Sequence, residues 1–281
     1  MGRAAQRGGP QGQARAEGHA PGPAGPDAAA PSGGMERPPL RLMPTTLWDY
    51  PSQHYRAADG SLAQGSQAYA GATPSWVVWQ LVQRYTQPGD VVLDPMCGSG
   101  TTLDVCRDTG RAGIGFDLAP PERRCGRADV RAADARALPV PDGVAHLAFV
   151  DPPYSTHVEY SDDPRCIGKL DAAGEDHGRA YYQAMAGVLG ELARALRPGG
   201  HLGVYVSDSW RRTRRAGRGV FMPIGFELFA IARRWLAPVD IVAVVRRNAK
   251  LERGNWRRAA EDENFYLRGF NYLLIFRKDG R

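Results

Sequence analysis

No run of apolar residues in this chain approaches the roughly 20 needed to span a bilayer, so a membrane-spanning helix is not expected. The basic N-terminus lacks the apolar core of a secretory signal, although it is Arg-rich and acid-poor, as organelle transit peptides also are. Cysteine is scarce. Cys97, Cys106, Cys125 and Cys166 form no C-x-x-C pair, and no His or Cys stands at zinc-ligand spacing near them. Reduced thiols and no metal are therefore expected, in a cytoplasmic protein. Residues 1–38 lack something more basic. Aliphatic and aromatic side chains are almost absent from this Gly-, Ala-, Pro-, Arg- and Gln-rich stretch. It cannot bury enough apolar surface to offset its ordering entropy, and a disordered tail is expected there. Residues 39–281 suffice for one α/β domain with a sizeable core.

Acidic residues are slightly outnumbered: 30 Asp+Glu against 36 Lys+Arg gives a formal net charge of +6. An excess this small decides little by its size; its clustering carries more. Arg211, Arg212, Arg214, Arg215 and Arg218 crowd one stretch, and Arg246-Arg247 and Arg257-Arg258 follow. Clustered guanidiniums suit phosphate, so nucleic acid is the expected partner. The plain alternative is a solvated Arg-rich loop.

Past the tail, apolar runs alternate with helical patterns. Residues 73–85 predict a helix, with Thr73 as N-cap and Pro74 at the first helical position. Short strands are predicted over 91–93, 112–116, 130–134, 144–150, 201–206, 239–245 and 272–276. Helices are predicted over 101–108, 178–196 and 226–236, the second closed by Arg197-Pro198-Gly199-Gly200. This alternation implies a largely parallel sheet covered on both faces. Ligands bind such sheets beyond the carboxyl ends of the strands. Asp94, Asp117, Asp134, Asp151 and Ser207-Asp208 stand there. A single loop acid is an ordinary turn residue or helix cap, but an acid after each of five strands exceeds what packing needs.

Gly98-Ser99-Gly100 follows a strand and opens a helix, so backbone can pass close to a ligand where free N–H groups face outward. No Gly-Lys-Ser/Thr follows, which excludes a P-loop, and the third glycine of a dinucleotide fingerprint is missing. Asp117, 17 residues after Gly100, stands where an acid accepts hydrogen bonds from ribose hydroxyls. The expected ligand is a nucleoside with a glycine-contacting tail. Asp151-Pro152-Pro153-Tyr154 ends the strand over 144–150. The lone pair of an aromatic amine is delocalised into its ring. Asp151 can accept one amine N–H and shift density back onto nitrogen. The carbonyl between the prolines, its direction fixed by their rings, can accept the other, and Tyr154 can stack on the base.

The order Asp94-Pro95-Met96-Cys97-Gly98-Ser99-Gly100-Thr101-Thr102, then Gly115-Phe116-Asp117, then Ala133-Asp134-Ala135, then Asp151-Pro152-Pro153-Tyr154 resembles the N4-cytosine/N6-adenine DNA methylase family. The likeness extends over residues 50–278. It implies a Rossmann-like fold, a seven-stranded, mostly parallel sheet with an antiparallel last strand, and S-adenosylmethionine as cofactor. By that likeness the methionine part would lie along Asp94, Pro95, Gly98, Ser99, Gly100 and Thr101, helped by Thr73 and Ser75. Asp117 would meet the ribose and Asp134 the adenine amine. The base would be flipped out of a DNA duplex to reach Asp151. No metal is implied, and a restriction endonuclease is an implied partner. Tetrapeptides beginning with Asp lean toward adenine, whereas cytosine enzymes often carry Ser there.

His157 and Tyr160 could touch the base or only pack the loop that follows the tetrapeptide. Trp210, Trp256 and Phe265, interleaved with Arg, suit stacking on bases as well as core packing. Reading of a short target site would rest on three inserts, 155–176, 209–222 and 246–268. Two other classes stand beside this reading. A tRNA guanine-N2 methyltransferase shares a similar loop and tetrapeptide but typically carries an N-terminal RNA-binding domain. A catalytically silent nucleic-acid-binding module would show a damaged glycine loop or no Asp151.

Overall fold

The computed structural model of the chain describes residues 38–61, 64–66, 69, 71–120, 127–212, 219–247 and 254–280. The expected tail lies outside the described residues, apart from Pro38, and so does Cys125. After a two-residue strand β1 (Leu47–Trp48), helix α1 (Ser75–Tyr85) leads into β2 (Val91–Asp94), α2 (Thr101–Asp108), β3 (Ala112–Asp117), β4 (Val130–Ala132) and β5 (Ala145–Val150). A 3-10 turn at Ile167–Lys169 precedes α3 (Arg179–Ala195) and β6 (Leu196–Val206). Then come β7 (Ser209–Arg212), β8 (Gly219–Met222), α4 (Ile224–Ala232), β9 (Ala237–Val245), α5 (Gly254–Asp262) and β10 (Phe270–Arg277).

The main sheet runs β4-β3-β2-β5-β6-β10-β9-β1. Its neighbours pair in parallel, except that β10 is antiparallel to both β6 and β9. The doubly wound α/β class and the antiparallel last strand match the sequence expectation. The strand count does not: eight, not seven, because Leu47–Trp48 adds a short edge strand beside β9. β7 and β8 form a separate antiparallel hairpin.

Both faces of the sheet are buried, which explains the near-continuous apolar runs of the central strands. Val92, Leu147 and Phe149 face α1, where Trp76, Val77, Leu81 and Val82 are buried with them. Leu93, Ala148 and Val150 face α3, whose Tyr181, Met185, Val188, Leu189 and Leu192 complete the other layer. At about 1.5–3 kcal/mol per fully buried large aliphatic side chain, these layers fix the strand ends in place.

Several boundaries depart from expectation. Helix α1 begins at Ser75, with Pro74 in the cap position at ψ 118° and no side-chain cap. Thr73 precedes a proline, which disfavours the helical region for it, so it stays outside the helix. Arg197-Pro198-Gly199-Gly200 does end α3, yet β6 starts at Leu196 and carries these residues within it. The shift in register with β5 falls between Ala145 and Leu147, and Gly199 sits at φ +77°. The predicted third strand is shorter than expected and leaves Asp134 in the loop beyond it.

Candidate active site

From β2 the chain winds outward through β3 and β4, then returns at β5, beside β2, to build the other half. The carboxyl ends of β2 and β5 therefore flank the crevice where the winding reverses. Asp94 ends β2 and Asp151 directly follows β5. A cavity opens between them, walled by the glycine loop with Asp117, Asp134, Thr73 and Tyr160. A second cavity is walled by Tyr50, Trp76, Tyr154, Tyr205, Arg246 and Asn271. Asp151, Gly71 and Ala72 line both cavities. Asp151 thus stands at the junction of a glycine-lined chamber and an aromatic one.

The glycine loop needs its glycines twice over. Gly98 has φ +48°, and a Cβ there would come within 2.7 Å of the Tyr69 ring. Gly100 has φ +83°, and its Cβ would meet the Arg127 guanidinium at 2.6 Å. The left-handed backbone strains any larger residue at both positions, and a Cβ would also push Tyr69 or Arg127 aside. Arg127 is held by Asp104, in the first turn of α2, at 2.8 Å, and by Asp129 at 2.7 Å.

The three acids read from the sequence as cofactor contacts are differently engaged. Asp117 accepts the Gly98 N–H at 3.1 Å and the Ala119 N–H at 2.9 Å. A carboxylate offers about four lone-pair sites, so acceptor capacity remains toward the cavity. Burial pushes its carboxyl up, against those two N–H donors. Asp94 is buried and accepts the Thr102 hydroxyl at 2.5 Å and the Met96 N–H at 3.0 Å. Burial raises it to about 7, and its bonds brace the loop against the helix start. Asp134 pairs with Arg136 at 2.8 and 2.6 Å, which holds its carboxyl below the usual range.

Thr73 and Ser75, both read as cofactor contacts, part company. Thr73 lines the first cavity, but its hydroxyl donates to Asp151 Oδ2 at 2.8 Å. Ser75 is fully buried and donates to Gln64 Oε1 at 2.7 Å, facing a polar cluster with His54 and Tyr55 away from the cavity wall. Its position at the first turn of α1 turns it inward with Trp76 and Val77. Pro95, Gly98, Ser99 and Thr101 line the cavity as expected positions, and Gly100 caps α2.

Around Asp151 the hydrogen bonds converge. The Tyr154 hydroxyl donates to Asp151 Oδ1 at 2.7 Å. Two lone-pair sites are then used, one on each oxygen, and the rest remain for a ligand. Asp151 keeps an opening to the cavities while protein encloses its other sides, and burial raises its carboxyl to about 7; the two hydroxyls and the Arg246 charge oppose that rise. Tyr181 donates to the Pro153 carbonyl at 2.8 Å, which pins the tetrapeptide to α3. Ser155 follows at φ +62° and closes the turn. Asn271, buried on β10, donates to the Tyr154 hydroxyl at 3.4 Å. Sequence reasoning passed over Asn271 and Tyr205, and read Arg246 only as one of the clustered arginines. The available signal was one amide inside the apolar run Phe270-Asn271-Tyr272-Leu273-Leu274-Ile275-Phe276.

Contacts between the three inserts bring two of the remaining nucleic-acid candidates, His157 and Arg211, together. His157 pairs with Ser209, and Arg211 with Asp171 at 2.6 Å, joining the first two inserts. Trp210 stacks on Phe265 with ring centroids 4.1 Å apart, and Arg268 lies over Phe221 at 5.2 Å, joining the second and third. Tyr160 stands instead in the wall of the glycine-lined cavity. Arg212 lies in β7, while Arg214, Arg215 and Arg218 fall outside the described residues. Among the described residues, no group of three His, Cys, Asp or Glu is placed to hold a metal ion.

Residues 32–123 match the DNA methylase family. The match takes in the glycine loop and Asp117, and the resemblance to N4-cytosine/N6-adenine DNA methylases read from the motifs holds. Within this DNA methylase relationship, 87 residues are 30% identical to the Type II methyltransferase M.ScaI of Streptomyces caespitosus, covering 31% of this chain and 28% of that protein. Another 29% identity over 75 residues relates it to the Type II methyltransferase M.HpaI of Haemophilus parainfluenzae, covering 27% and 22%. The chain thus matches about a quarter of the length of these relatives. A solved SAM-dependent methyltransferase from Methanosarcina mazei overlaps 72% of this chain and 98% of its own, at 13% identity and a TM-score of 0.47.

Proposed function

We propose that this chain is a DNA methyltransferase that modifies the exocyclic amine of adenine or cytosine, with S-adenosylmethionine as methyl donor. The observation that carries this reading is the position of Asp151 between the two cavities. A group held in the glycine-lined chamber and a base held in the aromatic chamber would meet at that carboxyl.

The donor and acceptor set of the first cavity fits the cofactor. Asp117 keeps acceptor capacity for vicinal hydroxyls, and the glycine loop offers backbone without side-chain obstruction. Asp134 would take the adenine end, although it must share its oxygens with Arg136. S-adenosylmethionine supplies an electrophilic sulfonium methyl. The rest is the work of the chain. Asp151 accepts an amine N–H and turns the nitrogen lone pair toward the first cavity. The Pro152 carbonyl accepts the second N–H. Tyr154, Tyr205 and Trp76 line the chamber into which a flipped base would fit, offsetting part of the unstacking. Catalysis then rests on proximity, alignment and amine polarisation. A restriction endonuclease reading the same site is the partner this function calls for, and the cytoplasm is its compartment.

The deciding experiment incubates the protein with methyl-labelled S-adenosylmethionine and either whole-genome-amplified DNA or bulk tRNA, followed by nucleoside mass spectrometry. N6-methyladenine or N4-methylcytosine in DNA is expected. Label confined to N2-methylguanosine in tRNA would overturn the DNA reading.

A further inference from the structure

β10 is the antiparallel strand at the centre of one half of the sheet, and its core-facing positions are otherwise apolar: Leu273, Leu274, Ile275 and Phe276 are all buried. Asn271 interrupts that pattern while only 4% exposed. Its Oδ1 has no hydrogen-bond partner among the described residues. A buried amide with half its polar atoms unpaired is unfavourable compared with an aliphatic residue of similar size. Such a departure from core chemistry is expected where a site needs it.

The direction of donation shows what the amide does. Tyr154 gives its hydroxyl proton to Asp151 Oδ1 at 2.7 Å, so its oxygen is left as an acceptor. Asn271 Nδ2 fills that acceptor at 3.4 Å, and the same amide bears on the Tyr205 hydroxyl. The amide is thereby fixed with nitrogen toward the tyrosines, which accounts for the unpaired oxygen. The order runs Asn271 N–H to Tyr154 O–H to Asp151 carboxylate, a chain of like-directed bonds in which each donor strengthens the next. We infer that Asn271 is a positioning residue, which holds the Tyr154 hydroxyl as a donor to Asp151 and so keeps that carboxylate oriented toward the substrate amine. The inference deepens the methyltransferase reading, and its chemistry rests on that reading, but the bond chain does not.

Other groups also act on Asp151 and must stay constant through a test. They are the Thr73 hydroxyl, the Arg246 guanidinium, and the neighbouring Asp94, Tyr160 and Tyr205. Asn271→Leu keeps the branched shape and removes the donor; of these groups it touches only Tyr205, which loses its bond from the amide, and the Tyr154→Phe background separates that route from the one through Tyr154. The primary measurement is the ¹³Cγ titration of Asp151 in the full chain, assigned by its loss in Asp151→Asn. Asn271→Leu should raise the titration midpoint by roughly half a pH unit or more. It should leave S-adenosylmethionine affinity by calorimetry within about twofold, which also shows that the variant is folded. In Tyr154→Phe the same Asn271→Leu change should have no further effect on the midpoint, because its effect passes through the hydroxyl. An unchanged midpoint in Asn271→Leu, or an equal shift with and without the Tyr154 hydroxyl, overturns the inference. In methyl transfer to whole-genome-amplified DNA, the acid limb should move with the midpoint and kcat should fall about tenfold. Failure of the wild-type protein to methylate DNA would instead sink the functional reading, with the titration still deciding the role of Asn271.

Discussion

Burial raises the Asp151 carboxyl to about 7, with the Tyr154 and Thr73 hydroxyls and Arg246 pulling the other way. The carboxylate accepts an amine N–H and polarises the nitrogen far more strongly than the neutral acid does, so kcat/KM should rise with pH through a limb near 7 and flatten above it; a pH–rate profile checks this. The same shift sets stability. Unfolded, the group loses its proton near 3.8; folded, it holds the proton to about 7. Between these values the folded state binds the extra proton, so stability falls as pH rises through this window and is level above it. Asp151→Asn, which never ionises, should therefore abolish methyl transfer, yet be about 1–3 kcal/mol more stable than wild type at pH 8, with that advantage gone near pH 4. Equal effects at both pH values in thermal unfolding would show that the carboxyl is not strained by its burial. Thr73 tests a different assignment. The family likeness puts it on the cofactor, whereas its hydroxyl points to Asp151. Thr73→Val should lower kcat about tenfold with S-adenosylmethionine affinity nearly unchanged; the reverse pattern would return Thr73 to the cofactor.

The elements that carry the site were legible where strand and motif coincide. Val91–Asp94, Ala112–Asp117 and Ala145–Val150 are short apolar runs ended by an acid, and both the burial of two sheet faces and the turn chemistry push the same way. The hairpin β7–β8 was not legible. Ser209–Arg212 carries two arginines and no alternation, and its Trp210 packs against Phe265 from a distant insert, a contact local sequence does not show. Asn271 was illegible for a related reason: a single amide in an apolar strand acquires meaning only when Tyr154, from another strand end, is brought to it. Thr73 looked like a helix cap because local sequence cannot show that Asp151 is 78 residues away in the chain and 2.8 Å away in space. At this scale the clasp between inserts is testable. The half-buried, solvent-accessible Arg211–Asp171 pair is worth little alone, about 0–1 kcal/mol, and the Trp210–Phe265 stack about 0.5–1.5 kcal/mol beyond its burial. Trp210→Ala should therefore weaken DNA binding several-fold through a loosened face while S-adenosylmethionine binding is kept, about as before. Loss of both together in calorimetry and gel-shift titration would mean the hairpin supports the whole fold rather than the proposed DNA-binding inserts.

For the whole molecule, charge and topology point to the same side. The net charge of +6 is small, but Arg246 and Arg247 line the aromatic chamber, and Arg211 and Arg268 stand in the inserts that contact one another. Some of this charge is already committed within the protein: Arg211 to Asp171, and Arg247 to Asp49 at 2.6 Å. Exposed ion pairs of this kind exchange partners readily, because water and salt screen them and the pair itself contributes little. A phosphate backbone arriving at this face competes with Asp171 and Asp49 for the same guanidiniums and releases its own counterions. DNA affinity should then fall steeply with salt, with a log–log slope of about −3 or steeper if four or more phosphates are neutralised. Cofactor affinity, which on the proposed reading Asp117 and the glycine loop would set inside a cavity, should change by less than about twofold over the same range. Fluorescence anisotropy on a labelled duplex from 50 to about 300 mM salt, with calorimetry of the cofactor in parallel, separates the two. A flat DNA slope would remove the arginine face from recognition and leave contact with the base chamber alone to hold the duplex. Asp171→Ala and Asp49→Ala sharpen the test, since freeing Arg211 and Arg247 should tighten DNA binding at low salt if those guanidiniums reach phosphate.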